Sequence, residues 1–252
     1  MDFTGKTVLI TGGTKGIGKA TAIAFAKKGA KVAINFSNDN EAARATYSEL
    51  EGEGHLLVKA NIIHPNSVER MLDTVIQEFG QLDILINNAG IFDSHPIDDS
   101  SYEEWQKSWQ KTLNVNLIGP ANLCYCAAQH MIKNKEGRIV NVSSRGAFRG
   151  EPTHPAYGAS KAGLNAMSQS LAQALAPHNV FVGVVAPGFV ETDMTAKILD
   201  GPTGNSIREQ SPLNRVARPE EVAHAILFLA SEGAEFTTGT IIDVNGASYL
   251  RS

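Results

Sequence analysis

Short runs of β-branched and other apolar residues alternate along this chain with longer stretches in which apolar positions recur at helical spacing. This alternation is typical of repeated β-α-β units around a parallel sheet, because both faces of such a sheet are covered by helices. The runs that we predict as strands are residues 7–10, 31–35, 55–59, 84–87, 138–142, 181–185 and 240–244.

Helices are predicted in the gaps between these strands. One opens near Gly16, others follow Asn40 and Pro65, and two long helices cover residues 102–134 and 155–176. A last helix begins at the sequence Arg-Pro-Glu-Glu, residues 218–221, where a proline and two acids suit a first turn. We therefore predict an α/β fold with a doubly wound, seven-stranded parallel sheet and helices on both faces, as one domain over residues 1–252.

The composition of the chain excludes some classes of function. The chain has 252 residues, of which 42% are hydrophobic, and a formal net charge of -4. A chain of this kind can bury one large core, but it offers no basic field for nucleic acid or an anionic bilayer. The first strand follows Met1 almost directly and no long apolar run occurs, so we expect a cytoplasmic protein without a membrane segment.

A glycine-rich turn follows the first strand. It reads Thr-Gly-Gly-Thr-Lys-Gly-Ile-Gly over residues 11–18 and leads into an alanine-rich helix. The free N–H groups at such a helix start bind a pyrophosphate, and glycines let the backbone approach it. Strand, turn and helix together predict a dinucleotide site that includes Gly12, Thr14, Lys15, Gly16, Ile17 and Gly18.

The end of the second strand indicates which dinucleotide is bound. The residues there are Asn-Phe-Ser-Asn, 35–38, and no carboxylate occurs before Asp39 to accept bonds from the adenosine ribose of NAD. A 2′-phosphate would meet no repulsion at this point, while Ser37 can donate to it and Lys15 can add charge. We predict NADP(H) as the preferred cofactor, with NAD(H) as the alternative; a solvated Lys15 would fit the sequence equally well.

Candidate catalytic groups cluster around the fifth strand and the following helix. Tyr157 and Lys161 are four residues apart, so they share one helix face, where a cation would lower the pKa of the phenol. Ser144 precedes the tyrosine by thirteen residues and could bind a substrate oxygen. Ser143 is the rival for this serine.

In this order the motifs resemble the short-chain dehydrogenase/reductase family, whose fold is a Rossmann domain. The resemblance runs from Thr11 to Gly246. It implies that Tyr157 is the acid/base, Ser144 the ligand of the substrate oxygen, Lys161 a ribose ligand that tunes the tyrosine, and Asn116 the residue that orders a relay water. Asn114 is the rival of Asn116.

The same resemblance assigns further cofactor contacts. Asn61 stands where the family usually places an aspartate against adenine, and its amide oxygen can still accept a hydrogen bond. The sequence Pro-Gly-Phe-Val-Glu-Thr, 187–192, is similar to the family segment that holds the carboxamide. The contacts implied in these segments are Asn61, Ile62, Asn88, Ala89, Gly90, Pro187, Gly188, Val190 and Thr192.

Substrate and partners follow from the resemblance as expectations. The chain resembles the 3-oxoacyl-[acyl-carrier-protein] reductases of this family, which implies a small or carrier-bound carbonyl substrate and a homodimer or homotetramer paired through the two long helices. Alternatives are an NAD(H)-dependent sugar, steroid or small-ketone dehydrogenase, an epimerase, or a regulator that binds cofactor without turnover.

Residues near the mouth of the site leave further questions open. Residues 189–213 contain the sequence Gly-Pro-Thr-Gly-Asn and are predicted to form a substrate lid, with an exposed loop as the alternative. Arg145 and Arg149 could meet an acidic substrate or carrier, but we expect them to be solvated. His95 and His154 could line the pocket, but surface positions fit them better, and we assign no metal site.

Overall fold

Seven parallel strands form one sheet in the computed structural model of the protein, which describes residues 1–251. Each strand lies within two residues of its predicted boundaries. The strands are β1 Thr7–Thr11, β2 Lys31–Phe36, β3 Leu56–Lys59, β4 Ile84–Asn87, β5 Gly137–Val142, β6 Val180–Pro187 and β7 Ile241–Val244.

The order of the strands creates a crevice at the centre of the sheet. That order is β3-β2-β1-β4-β5-β6-β7, so the chain moves outward in one direction from β1 to β3 and in the other from β4 to β7. The connections from β1 and from β4 therefore leave on opposite faces. Ligands of open parallel sheets bind at this switch point, beyond the carboxyl ends of the strands.

The sheet separates two apolar layers. Val8 and Ile10 of β1 face one layer and Leu9 faces the other, as expected for side chains that alternate along a strand. The helices are α1 Gly16–Ala26, α2 Asn40–Ser48, α3 Pro65–Phe79, α4 Tyr102–Leu113, α5 Gly119–Asn134, α6 Gly146–Arg149, α7 Pro155–Leu175, α8 Asp193–Leu199, α9 Gly204–Glu209 and α10 Pro219–Ala230. Helices α1 and α10 cover the first layer and α3, α5 and α7 cover the second, which confirms the predicted α/β class.

The long helix predicted over residues 102–134 is interrupted. A π-helical turn, Asn114–Ile118, separates α4 from α5. Pro120 has no N–H, so the α-helical hydrogen bond that would end on the carbonyl of Asn116 cannot form. The interruption therefore lies at the residue predicted to order a relay water, and π-helical turns of this kind are frequent at functional sites.

Candidate active site

A cleft of about 720 Å³ opens at the carboxyl ends of the strands. Its volume is in the range of small-molecule and cofactor sites. Nearly all of the predicted site residues line it, namely Gly12, Thr14, Lys15, Gly16, Ile17, Ser37, Asn61, Ile62, Asn88, Ala89, Gly90, Ser144, Tyr157, Lys161, Pro187, Gly188, Val190 and Thr192. Gly18 and Asn116 stand behind this wall.

The glycine-rich turn is fixed by the residues that follow β4. The side chain of Asn88 donates to the carbonyls of Thr11 and Gly12, at 3.0 and 3.1 Å. The Thr11 hydroxyl in turn accepts the N–H groups of Asn88 and Ala89. Asn88 was predicted as a cofactor contact, and the structure gives its amide a second task, which is to hold the shape of the turn.

Gly18 makes this arrangement possible without lining the cleft. A Cβ atom at residue 18 would collide with the carbonyl of Gly12 and the amide of Asn88. Its role is close packing of α1 against the turn, which is one of the known reasons for a third glycine in such motifs. Gly18 does not line the cleft, so it supports the turn and does not contact a ligand there directly.

The ribose end of the cleft contains a carboxylate that the sequence argument set aside. Asp39 lines the cleft together with Ser37, and its Oδ2 lies 2.7 Å from Nζ of Lys15. Asp39 caps α2 by accepting the N–H of Ala42, which turns its side chain back toward the turn. The ion pair raises the pKa of Lys15 and lowers that of Asp39. The expectation of an acid-free ribose end was therefore wrong.

The adenine end has a preorganised backbone. Asn35, buried in β2, donates to the carbonyls of Val58 and Ala60 and so joins the ends of β2 and β3. The side-chain oxygen of Asn61 accepts the N–H of Ile63 at 3.1 Å. An amide oxygen has two lone pairs, so one acceptor position on Asn61 is left for a ligand.

The two candidate serines have different surroundings. The hydroxyl of Ser143 is buried and donates to the carbonyl of Lys161 at 3.3 Å. The hydroxyl of Ser144 accepts the N–H of Gly146 and also forms a hydrogen bond that lowers the pKa of Tyr157. Ser144 is the serine that faces the tyrosine, while Ser143 fastens β5 to α7.

Lys161 is buried beneath the tyrosine. Its Nζ donates to the carbonyl of Val142 at 2.8 Å and lies 5.8 Å from the centroid of the Tyr157 ring. Burial lowers the pKa of Lys161 to about 8. Burial also raises the pKa of Tyr157, and the charge of Glu151 acts in the same direction. Lys161 is not among the groups that shift the pKa of Tyr157, so the predicted lowering by the lysine is absent from this structure.

Asn116 clamps the segment after β4. Its Oδ1 accepts the N–H of Ile91 at 2.9 Å, and its Nδ2 donates to the carbonyl of the same residue at 3.0 Å. The amide also donates to Ser160, whose hydroxyl donates to the carbonyl of Tyr157. The rival Asn114 instead accepts a bond from Gln110 on the exposed side of the helix.

Of the two histidines predicted at the surface, His95 is buried and His154 is half-buried. His95 is 1% exposed; its Nε2 accepts the N–H of Ala156 at 3.1 Å, while Nδ1 lies 2.8 Å from the carbonyl of Asp93. It therefore satisfies a free N–H in the first turn of α7. His154 stacks on Phe92 at 3.6 Å, and Phe92 in turn contacts the edge of Tyr157. Burial lowers the pKa of His154 to about 4.

The carboxamide end of the cleft is shaped by a short parallel bridge. The carbonyl of Phe189 accepts the N–H of Ala217, and the N–H of Glu191 donates to the carbonyl of Ala217. The backbone of Val190 between them therefore points the other way, toward the cleft. The carbonyl of Val190 accepts the hydroxyl of Thr195, whose Oγ1 also accepts the N–H of Thr192. The N–H of Val190 therefore faces away from Ala217, on the side of the cleft that Val190 lines.

Arg145 and Arg149, both predicted to be solvated, differ sharply. Arg149 is exposed. Arg145 is only 3% exposed, and its guanidinium donates to Gln210 and Ser248. The prediction was wrong for Arg145 because Gln210, Ser248 and the ring of Phe189, all distant in sequence, cover its guanidinium.

Several residues that line the cleft were not among the predicted catalytic or cofactor contacts. Most follow a strand end or lie on α4 and α8, which no motif marked. They are Asn35, Phe36, Asn38, Asp39, Ala60, Ile63, Ile91, Lys111, Val115, Val142, Ser143, Asp193, Met194 and Thr195. A rule that every strand end contributes to the cleft would have found most of them.

Metal clusters and membrane-spanning helices are both absent from residues 1–251, the part of the chain that the structure describes. No group of three or more histidine, cysteine, aspartate or glutamate side chains is placed to hold a metal ion. No helix in the same range has the length and apolar character needed to cross a membrane.

The fold, the glycine-rich turn and the Ser144, Tyr157 and Lys161 cluster define a class of protein. Residues 12–247 match a family model described as Enoyl-(Acyl carrier protein) reductase. The chain belongs to the short-chain dehydrogenase/reductase family and is an NAD(P)-dependent dehydrogenase/reductase.

Particular relatives extend over the full length. The chain is 39% identical to the 3-oxoacyl-[acyl-carrier-protein] reductase FabG of Thermotoga maritima, covering 99% of this chain and 100% of the relative. It is 38% identical to the FabG of Escherichia coli, with coverage of 99% and 100%. A crystal structure of a dehydrogenase/reductase from Sinorhizobium meliloti 1021 superposes with a TM-score of 0.90 at 30% identity, covering 99% and 97% of the two chains.

Proposed function

We propose that this protein is a cytoplasmic, NADPH-dependent reductase of 3-oxoacyl thioesters attached to an acyl carrier protein. The observation that carries the proposal is the convergence of the Ser144 and Tyr157 hydroxyls, above a buried Lys161, at the inner end of a dinucleotide-shaped cleft. Two hydroxyls at one point suit a ketone oxygen, and the names of the full-length relatives indicate which ketone.

The cleft fits a nicotinamide dinucleotide. The turn from Gly12 to Ile17 would hold the pyrophosphate, Ser37 and Lys15 the ribose end, Asn61 and Ile62 the adenine, and Val190 and Thr192 the carboxamide. The bonds to Ala217 are made by Phe189 and Glu191, so the N–H of Val190 is left to donate a hydrogen bond to a carboxamide oxygen. When bound, the reduced nicotinamide supplies the hydride that reduces the carbonyl carbon.

The side chains of this protein would bind the carbonyl oxygen of the substrate and supply its proton. Ser144 and Tyr157 would hydrogen-bond the carbonyl oxygen, and Tyr157, which is protonated at neutral pH because burial raises its pKa, would donate a proton to that oxygen as the alcohol forms. Lys161, as a cation, would then stabilise the phenolate. A water on the carbonyl of Asn116, where Pro120 removes the helical donor, would return a proton.

Other functions have less support. A sugar, steroid or small-ketone dehydrogenase would use the same four residues, but the full-length relatives carry acyl-reductase names. Burial of Lys161 destabilises its charged form, as its lowered pKa indicates. A regulator without turnover would not need such a buried lysine. An epimerase would retain its cofactor and show no net oxidation of NADPH.

We also propose that the protein is a homotetramer. Large apolar side chains stand exposed on α4, on the π-helical turn and on α5, at Tyr102, Ile118 and Tyr125. A second set, Phe236 and Leu250, flanks β7. Two separate apolar patches suit two kinds of subunit contact, as a tetramer of dihedral symmetry requires.

The test is turnover at 340 nm by the purified protein. With acetoacetyl thioesters of coenzyme A and of acyl carrier protein, we expect NADPH oxidation, faster for the carrier-bound substrate, and slower oxidation of NADH. A panel of sugar, steroid and diketone substrates serves as the comparison. Turnover of only one of those ketones, or turnover with NADH alone, would contradict the proposal.

A further inference from the structure

A single buried side chain joins the segment predicted to be a lid to the loop that carries Ser144. Nη2 of Arg145 donates to Oε1 of Gln210 at 2.8 Å, and Nη1 donates to Oγ of Ser248 at 2.6 Å. The guanidinium carbon lies 5.2 Å from the centroid of the Phe189 ring. Phe189 and Gln210 stand near the two ends of the lid segment, residues 189–213. We refer to Arg145 with Gln210 and Ser248 as the arginine bridge.

The arginine bridge is a costly way to pack a loop. The charges that influence Arg145 are those of Arg149 and Glu151, and neither forms an ion pair with it; burial dominates and lowers its pKa. A buried cation held by neutral groups gives little stability compared with an apolar side chain of similar size. What the guanidinium offers instead is direction, because its rigid fork of donors can orient two acceptors at once.

Hydrogen bonds within the lid segment connect Gln210 to the wall of the cleft. Nη1 of Arg208, in α9, donates to the carbonyl of Leu199 at the end of α8. The two short helices are thereby connected, and α8 places Met194 in the wall of the cleft. At the other end of α8, the hydroxyl of Thr195 donates to the carbonyl of Val190. The position of Gln210 therefore helps to set the position of α8.

We propose that Arg145 is a positioning residue for substrate binding, which holds the lid segment against the catalytic loop so that α8 forms the outer wall of the substrate cleft. The proposal rests on the proposed function only in assuming that the substrate is covered by this wall. Arg145 and Ser144 are consecutive, so the side chain that orients the lid and the hydroxyl that meets the substrate oxygen share one piece of backbone.

The first experiment measures the lid directly and requires no substrate. Trypsin cleavage after Lys197, an exposed residue of α8, is followed by mass spectrometry in wild type, Arg145→Met and Arg149→Met. We expect cleavage to be about tenfold faster in Arg145→Met, because two charge-assisted hydrogen bonds are lost. Arg149 also reaches Oε1 of Gln210, but from an exposed position and at the longer distance of 3.4 Å. Arg149→Met removes the same charge and should therefore change the rate by less than about twofold. Equal rates in all three proteins would overturn the proposal.

A substitution with the opposite expected effect separates positioning from general damage. Gln210→Glu gives Arg145 a carboxylate and should slow cleavage after Lys197 by about threefold, since the bond becomes an ion pair. In the Arg145→Met background the same substitution should have a clearly smaller effect, because only the exposed Arg149 then faces the carboxylate. Slowing of equal size in both backgrounds would show that the arginine bridge is not responsible, and so would contradict the proposal.

Steady-state kinetics test the consequence for substrate. In Arg145→Met we expect KM for an acetoacetyl thioester to rise about tenfold with kcat changed by less than about threefold, because the chemical groups are left in place. Affinity for NADPH, followed by its fluorescence, should stay within about twofold and serves as the control for folding. If that affinity is lost, Gln210→Met replaces the variant, since Gln210 is exposed.

The two readouts keep this proposal distinct from the proposed function. If wild type fails to turn over thioesters but Arg145→Met still opens the site after Lys197 to trypsin, the proposed substrate is wrong and the role of Arg145 in the lid stands. If thioesters are reduced and Arg145→Met changes neither proteolysis nor KM, the proposed substrate stands and the arginine bridge has no positioning role.

Discussion

The two sides of the cleft are built by different means. On the inner side, β5, the π-helical turn and α7 are connected by short bonds between neighbouring elements, such as those of Lys161 to Val142 and of Asn116 to Ile91. On the outer side, α8 and α9 have seven and six residues, and long side chains such as Arg145 and Arg208 hold them. The reacting groups are therefore fixed by the core, while the outer wall of the cleft depends on a few contacts of long side chains.

The inner side should tolerate least change. In Tyr157→Phe we expect kcat for carbonyl reduction to fall by about a thousandfold, because the proton donor is lost. Affinity for NADPH should change by less than about threefold, since the ring and its contact with Phe92 remain. Turnover is followed at 340 nm and binding by cofactor fluorescence. Turnover near the wild-type rate would show that the acid lies elsewhere, and with it the whole inner-side assignment would fail.

The buried lysine makes the inner side sensitive to pH. The pKa of Lys161 falls to about 8, so kcat/KM, which reports groups of the free enzyme, should decrease above about pH 8 by up to tenfold per unit. Stability should move the other way. Above pH 8 the folded protein loses this proton before the unfolded chain does, so the free energy of unfolding gains a favourable contribution as pH rises toward 10.5.

Comparison with Lys161→Met isolates the stability effect. Thermal unfolding of the two proteins is measured between pH 7 and pH 10. Wild type should gain stability relative to the variant across that range, and a constant difference would indicate that another group titrates.

The cofactor end should respond more mildly than the catalytic groups. Lys15→Met should weaken NADPH binding by about tenfold, because one charge-assisted contact with the 2′-phosphate is lost, and should leave NADH binding within about twofold. Asp39→Asn frees the lysine and keeps the cap of α2, so it should strengthen NADPH binding by a few fold. Titration of both cofactors checks these values. Equal effects of Lys15→Met on the two cofactors would remove the lysine from the phosphate site.

The sequence predicted more of the inner side than of the outer side. Strand boundaries and the Tyr157, Lys161 and Ser144 cluster could be found because apolar runs and helical spacing are local signals. The thirteen-residue spacing to Tyr157 already favoured Ser144 over Ser143, and the structure adds that the Ser143 hydroxyl is bonded to the carbonyl of Lys161. The interruption at Asn114–Ile118 was missed although Pro120 signals it.

Errors concentrated where a long side chain meets a distant segment. Arg145 was predicted to be solvated, yet Gln210 and Ser248 enclose it. His95 was predicted at the surface and instead bonds to Ala156. Such contacts follow from tertiary packing and leave no periodic trace in the sequence. The role of residues 189–213 as a lid stays a prediction.

The hydrogen bonds of Asn88 have a consequence for the order in which the protein assembles. The glycine-rich turn is synthesised early, but the amide that fixes its carbonyls is synthesised some seventy-five residues later, at the end of a strand that must first insert beside β1. A nascent chain that stops before β4 has the turn in its sequence without the bonds that shape it. Cofactor capture during synthesis should therefore begin only once Asn88 has left the ribosome and β4 has paired with β1, so cofactor would stabilise late folding intermediates and have no effect on early ones.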